Sequence, residues 1–343
     1  MAATTFPNNT PSSALDLGQV RVEFEALVHG CGVYDPGGRA HIALTGTDRT
    51  RWLNGMVTNN IRDLAVGRGV YAFLLNPQGR ILGDLYAYNR GDSLMVDTDQ
   101  VQLEKVLQVF DKYIIMDDVE VANISDELTA IGIAGPDSRK VLSAAGIEHL
   151  ALEKLQFVSV TWQDTSLTIV RGDNESVESY ELWLEPAKVS AVWEALVRAR
   201  AEVVHGVALE MFRIASGIPR YAHDIRERDL PQETEQARAL NFSKGCYIGQ
   251  EIVERIRSRG AVHRKFTGFH VDGPLPAPGT KIQAGGKEVG ETTSSATLPT
   301  AKAEIAVALG YIRREMATPG KQVAAGEARL TVANLPFMEV FKA

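Results

Sequence analysis

Residues 40–56, AHIALTGTDRTRWLNGM, change period in the middle. AHIALTG alternates and predicts a strand. TDRTRWLNGM, with Thr47 or Asp48 placed to cap it, predicts a short helix. The switching continues outward. VYAFLLN (70–76) is a strand stopped by Pro77-Gln78-Gly79, and ILGDLYAY (81–88) and SLMVDT (93–98) make a hairpin around NRGD. VQLEKVLQVFDKY (101–113) has apolar residues at 103, 106, 107 and 110, which is helical spacing, and DVEVANI (118–124) closes with a strand. With one strand over, the order reads as β-α-β-β-α-β, a ferredoxin-like unit.

A second α+β module follows. LTAIGIAG (128–135) predicts a strand, PDSRKVLSAAG (136–146) a helix, and FVSVTWQD, SLTIVRG and SYELWLEP three more strands. AKVSAVWEALVRAR (187–200) and ALEMFRIASG (208–217) predict amphipathic helices. After about residue 262 the chain turns rich in Gly and Pro, with short alternating runs between GPLPAPGT, AGGKEVGE and TPGKQVAAGE. That pattern predicts a small β-barrel or sandwich, with a boundary near 261. The fold class is α+β.

Of the 343 residues, 45% are hydrophobic and 23% charged, the balance of an ordinary globular protein. A formal net charge of -7 argues against general nucleic-acid or membrane-surface binding. No apolar run reaches transmembrane length. Residues 1–19 are polar, with no basic start and no apolar core, and read as a disordered lead-in on a cytoplasmic protein. Two cysteines supply neither a disulfide framework nor a zinc site, so no resident metal is expected. No glycine-rich phosphate motif follows a strand, which argues against a Rossmann or P-loop cofactor.

Cys31, in HGCGVYD, reads as a packed thiol. Cys246 lies in NFSKGCYIGQEIVERIRSRG (241–260). Apolar residues at 248, 252, 253 and 256 predict a helix that begins near Tyr247 to Gly249. Cys246 would sit at its positive end with Lys244 nearby, and both features favour a thiolate. Gly245 and Gly249 would permit close backbone or ligand approach. Two readings stand together: a reactive thiol, or a small residue at a tight loop-to-helix junction. A Cys nucleophile with a His base is a further option, but no spacing selects among the histidines. The run Lys244, Arg255, Arg257, Arg259, Arg264 and Lys265, against Glu251 and Glu254, is either a solvated face or an anion site.

KGCYIGQE (244–251) resembles the signature of the YgfZ family of folate-binding proteins, relatives of the aminomethyltransferase T-protein of the glycine cleavage system. The resemblance extends through RIASGIPRYAHDI (213–225), DLPQET (229–234), RSRGAVHRKF (257–266), LNPQGRILGDL (75–85), VGET (289–292), ALGYIRR (308–314) and the opening GVYDPGGRAHIALTGTDRTRWLNGMVTNNI (32–61). It implies two α+β modules and a barrel in a ring around a central folate pocket. The first module would comprise 20–48 and 128–260, the insert 49–127 and the barrel 261–343. It implies assistance to assembly or repair of iron-sulfur clusters in client proteins, with tetrahydrofolate or a derivative as cofactor and Cys246 and Lys244 as functional residues. Glu181, in SYELWLE, falls on the superfamily strand whose glutamate meets the pterin, and a carboxylate suits the two parallel N–H donors of that ring. Asp84, Tyr247, Gly249, Gln250, Glu251 and Arg255 are the remaining folate-site candidates implied. The transferases resemble DDL where this chain has Gly83-Asp84-Leu85, and they lack the signature cysteine. A folate-dependent one-carbon transferase or demethylase is the alternative function, and a partner-binding scaffold a third.

Overall fold

Asp16 caps the first helix: its Oδ1 accepts from the backbone N–H groups of Gly18 (2.9 Å) and Gln19 (3.3 Å). The computed structural model describes residues 16–148, 151–260 and 262–342. Most of the expected lead-in, residues 1–15, lies outside the described residues, and its last three residues belong to the first helix. The elements are α1 (Leu17–His29), β1 (Gly32–Tyr34), β2 (Arg39–Thr45), α2 (Arg49–Met56), β3 (Arg68–Leu75), β4 (Ile81–Asn89), β5 (Leu94–Asp99), α3 (Leu103–Tyr113), β6 (Glu120–Asn123), β7 (Thr129–Ala134), α4 (Ser138–Ala144), β8 (Phe157–Trp162), β9 (Thr165–Arg171), β10 (Ser179–Leu184), α5 (Val189–Arg198), β11 (Glu202–Val203), α6 (Gly206–Ala215), α7 (Gln250–Arg259), β12 (Arg264–Asp272), β13 (Lys281–Ala284), β14 (Lys287–Pro299), β15 (Glu304–Arg313), β16 (Gln322–Ala325) and β17 (Ala328–Ala333).

The chain divides into two compact units. One holds the residues up to Leu74, Gly83–Gly206 and Ser243–Tyr247; the other holds Leu75–Leu82, Val207–Phe242 and Ile248 onward. The second unit therefore takes α6 and α7 together with the barrel, where a boundary was expected at 261.

The first unit contains two sheets. One has the order β3-β4-β5-β2-β6. Its run β6-β2-β5-β4 is the ferredoxin-like arrangement, and β3 is one strand beyond it. Strand β2 pairs with β5 and β6 and so belongs to the ferredoxin-like sheet, while β1 of the same compact unit belongs to the other. The other sheet has the order β11-β1-β7-β10-β9-β8. Alternation gives it two different faces. On β10, Tyr180, Leu182 and Leu184 join a core with Ile131 and Ile133 of β7 and with Val141, Val192, Trp193 and Leu196 of α4 and α5. Each such large aliphatic side chain, fully buried, contributes about 1.5–3 kcal/mol. The intervening Trp183 points the other way, into a cluster with Tyr88 and Met95 of the ferredoxin-like sheet.

In the second unit, β12-β15-β14-β13-β16-β17 close into a barrel. Phe269, Ile282, Val323, Leu330 and Val332 fill it, each from an inward position of an alternating strand. The expectation of an α+β chain with a C-terminal small barrel is met. Among the described residues no helix is long and apolar enough to cross a membrane.

Candidate functional site

Glu181 stands on the face of β10 opposite the helices, two residues from Trp183, whose indole N–H donates to Glu181 Oε2 at 2.9 Å. Its register neighbour on β7 is Gly132, and Gly132 in turn pairs with Tyr34 of β1. The other sheet of the same unit supplies charge to this layer. Arg39 of β2 donates twice to Asp97 of β5, at 3.0 and 2.6 Å. Asp97 is in register with His41 on one side and with Tyr86 on the other. The His41 ring lies edge-on to Trp183, with centroids 5.7 Å apart, and its Nε2 is 3.7 Å from Asp97 Oδ1.

This is an expensive place for charge, and the ionisation of its members reflects that. Burial pushes the Glu181 carboxyl up; the Asp97 carboxylate pushes the same way, and Arg39 opposes both. Burial also pushes Asp97 up, against the pull of Arg39. Burial and the Arg39 guanidinium lower His41 from its ordinary 6.5 to about 4, so the imidazole is neutral at pH 7. Tyr34 and Tyr88 are raised, again chiefly by burial. Among the described residues nothing hydrogen-bonds to Glu181 Oε1, and Oε2 keeps a second lone pair beyond Trp183. A partly buried carboxyl with accepting capacity on both oxygens fits a ligand edge that presents two parallel N–H donors.

Asp84 has a different setting. Tyr71 Oη donates to its Oδ2 at 2.6 Å and Gln102 Nε2 to its Oδ1 at 2.8 Å, while the Asp84 N–H donates to Gln102 Oε1 and Thr98 Oγ1 to the Asp84 carbonyl. It does not cap the hairpin turn. A Cβ at Gly83 would lie 2.9 Å from Gln102 Oε1, so the side chain that holds Asp84 occupies the space an acid at position 83 would need.

The loop around Cys246 is built otherwise than expected. Lys244 is buried, and its ammonium donates to the carbonyls of Asn54, Val57 and Asn59 at 2.5, 2.6 and 2.7 Å. An ammonium has three donors, so none remains for a thiolate. Lys244 ties its segment to the end of α2 rather than activating Cys246. Burial, and then the Arg62 guanidinium, lower it to about 7, while three carbonyls that only a protonated amine satisfies together resist that fall. The Tyr247 ring is buried beneath the same ammonium, 5.0 Å from Nζ to centroid. Helix α7 begins at Gln250 with Gly249 as its cap, so Cys246 precedes the capping turn by three residues. The dipole effect fades within a helix's first turn. Gly249 has φ +82, and a Cβ there would lie 2.6 Å from the Asn76 carbonyl; it admits the backbone of residues 75–79, not a ligand. Gly245 has no comparably close neighbour. Cys246 is exposed. Cys31 is buried, and burial pushes its thiol up to about 12.

Gln250 is partly buried at the start of α7. Glu251 and Arg255 are both exposed and pair with each other across one helical turn at 2.8 Å. They form a solvated helix face, which is how such a charge run ordinarily ends. The side chain of Arg259 lies outside the described residues. Among the described residues no group of three or more His, Cys, Asp and Glu side chains is placed to hold a metal ion.

The structure thus gathers Glu181 with residues the sequence did not single out: Arg39, Asp97, His41, Tyr34 and Trp183. One signal was available. SLMVDT places an acid directly after the apolar run Leu94-Met95-Val96 within a strand, and a buried acid is rare unless it is paired.

Residues 3–244 match the GCVT N-terminal domain, and residues 264–338 match the glycine cleavage T-protein C-terminal barrel domain. The chain is 29% identical over 312 residues to an aminomethyltransferase of Halothermothrix orenii, covering 88% of this chain and 85% of that one. It is 25% identical over 305 residues to a putative chloroplastic transferase of Arabidopsis thaliana, covering 88% and 70%. The crystal structure of the glycine cleavage system aminomethyltransferase T from Bartonella henselae aligns with a TM-score of 0.83, over 94% of this chain and 90% of that chain, at 22% identity, a likeness of fold. With both domains matched in order along the chain, this protein belongs to the family of the glycine cleavage T-protein.

Proposed function

We propose that this protein binds a reduced folate, with Glu181 as the acceptor for the pterin edge, and uses it in one-carbon transfer of the kind its relatives are named for. The observation that carries the binding step is the Glu181 carboxyl, partly buried, fixed by Trp183 and open on Oε1. Two N–H donors from a bound ring would supply what that carboxyl lacks and favour its ionised form. Asp84, held at both oxygens by Tyr71 and Gln102, is a fixed acceptor and a second folate-site candidate. Tetrahydrofolate would supply the one-carbon carrier. The residues of this chain bind it, orient it and set the protonation of the layer it enters.

A second reading favours a folate-dependent accessory role in assembly or repair of iron-sulfur clusters in client proteins. Its supporting observation is Cys246, an exposed thiol in a KGCYIGQE segment anchored by the buried Lys244. Gly83 in place of an acid points the same way. Tyr247, Gly249 and Gln250 serve in either reading as the frame of that segment.

Incubation with tetrahydrofolate and an aminomethyl or N-methyl donor separates the two. Formation of methylene-tetrahydrofolate supports transfer. Folate binding without product, together with loss of iron-sulfur enzyme activities in a deletion strain that Cys246→Ser does not rescue, supports the accessory role. No reduced folate binding at all defeats both.

A further inference from the structure

Strand β5 parts from β4 before Asp84. The ladder between the two strands runs from Asn89↔Leu94 to Tyr86↔Asp97 and stops two residues short of it. After Asp99 the chain bends into a short turn at residues 100–102, and Asp99 Oδ1 accepts from the Val101 N–H at 3.1 Å. Side chains then take the place of main chain. Thr98 Oγ1 donates to the Asp84 carbonyl at 2.8 Å, and Gln102 Oε1 accepts from the Asp84 N–H at 2.9 Å.

The same amide does a second thing. Gln102 Nε2 donates to Asp84 Oδ1 at 2.8 Å, while Tyr71 Oη donates to Oδ2 at 2.6 Å. Gln102, Thr98 and Tyr71 are buried, and Asp84 is partly exposed. Both donors to the carboxylate are neutral. Among the described residues no Lys, Arg or His pairs with Asp84, whereas Asp97 has Arg39. The Asp84 carboxylate is therefore oriented without being neutralised, and each oxygen keeps accepting capacity.

This bracket needs an amide of this length. A glutamine head donates and accepts in one plane, which matches a carboxylate and a backbone N–H together. A glutamate would accept the N–H but set a like charge against Oδ1. A leucine would do neither. Gly83 makes room for it, since a Cβ there would lie 2.9 Å from Gln102 Oε1.

We propose that Gln102 is a positioning residue for ligand binding. It acts through Asp84, fixing the place and direction of that carboxylate before the folate arrives, so that little ordering remains to be done on binding. The proposal rests on the reading of Asp84 as part of the folate site.

Calorimetric titration of tetrahydrofolate into the full-length protein tests it, with every variant checked for folding by circular dichroism and urea unfolding. Asp84→Asn should weaken binding about tenfold. Gln102→Glu keeps the size and the bond to the Asp84 N–H but loses the donor to Oδ1, and should weaken binding nearly as much at about pH 8. That loss relative to the wild type should shrink as pH falls to about 5.5, where a proton held between the two carboxyls restores the donor. The Glu181 and Asp97 carboxyls are present in both proteins, so the ratio of affinities isolates position 102. Combined with Asp84→Asn, Gln102→Glu should cost nothing further, because the introduced amide donates to the introduced carboxylate. Gly83→Ala, which crowds the Gln102 amide without changing any charge, should weaken binding several-fold. Wild-type affinity in Gln102→Glu or Gly83→Ala, a ratio that ignores pH, or losses that add in the double variant would overturn the proposal and leave the Asp84 reading standing. No effect of Asp84→Asn, or no binding by the wild type, would remove the Asp84 reading and the proposal with it.

Discussion

The layer around Glu181 and the segment around Cys246 use their polar residues in opposite ways. In the first, Arg39, Asp97, His41 and Glu181 share a buried space with incomplete compensation: the two carboxyls are raised, the imidazole is lowered, and Glu181 Oε1 is without a partner among the described residues. In the second, Lys244 is fully compensated by three carbonyls, and the cysteine beside it is simply exposed. Perturbed groups with spare bonding capacity are what a ligand can act on. A saturated anchor gives rigidity. On the proposed reading, recognition falls to Glu181 and support to Lys244, although the Lys244 segment has the louder sequence.

The largest effect that would sharpen this contrast is on stability. Lys244→Met leaves three carbonyls without a shared donor and should destabilise the protein by about 3 kcal/mol in urea unfolding. A loss within experimental error would show that the anchor is dispensable.

The second test uses pH. His41 has a lowered folded-state value, about 4 against 6.5, so its contribution is present above pH 6.5 and is lost as pH falls towards 4. The wild type should lose about 3 kcal/mol more over that window than His41→Gln does. The raised Glu181 and Asp97 carboxyls act with the opposite sign, gaining relative stability as they protonate. The variant difference therefore isolates the histidine, with Arg39 constant beside it. Identical pH profiles would remove His41 from the perturbed layer.

Gly249→Ala should cost about 2 kcal/mol, since it combines a left-handed conformation with a Cβ 2.6 Å from the Asn76 carbonyl. Thermal unfolding measures it, and an unchanged melting temperature would mean the 75–79 turn yields freely. The smallest effect is expected for Cys246→Ser, within about 0.5 kcal/mol for an exposed residue. Iodoacetamide mapping should nevertheless label Cys246 well before the buried Cys31. Comparable labelling would mean that Cys31 opens to solvent.

Much of this architecture was legible because it rests on local rules. Period-2 runs in SYELWLEP and SLMVDT place Glu181 and Asp97 on strands, and the Gly/Pro turns after 262 announce the barrel. What could not be read is which strands become neighbours. His41, Asp97 and Tyr86 lie in one row across three strands, and their register is set by pairings distant in sequence. That β2 joins the sheet of β5 and β6 rests on the same distant pairings. Lys244 shows the complementary limit. Its charge is visible in KGCYIGQE, but the carbonyls that bind it come from Asn54, Val57 and Asn59, about 190 residues earlier. Sequence proximity to Cys246 suggested a partner that the fold supplies elsewhere.

The central claim is that Glu181 is the folate acceptor. Calorimetric titration of tetrahydrofolate into the wild type and Glu181→Gln, repeated at falling pH, tests it directly. Saturable binding should weaken at least about tenfold in the variant, the loss expected when a charged hydrogen-bonding partner is removed. Because burial raises the Glu181 carboxyl, wild-type affinity should also fall as pH drops through its protonation, while the variant stays flat. Equal affinities for the two proteins, with the same pH dependence, would contradict the account.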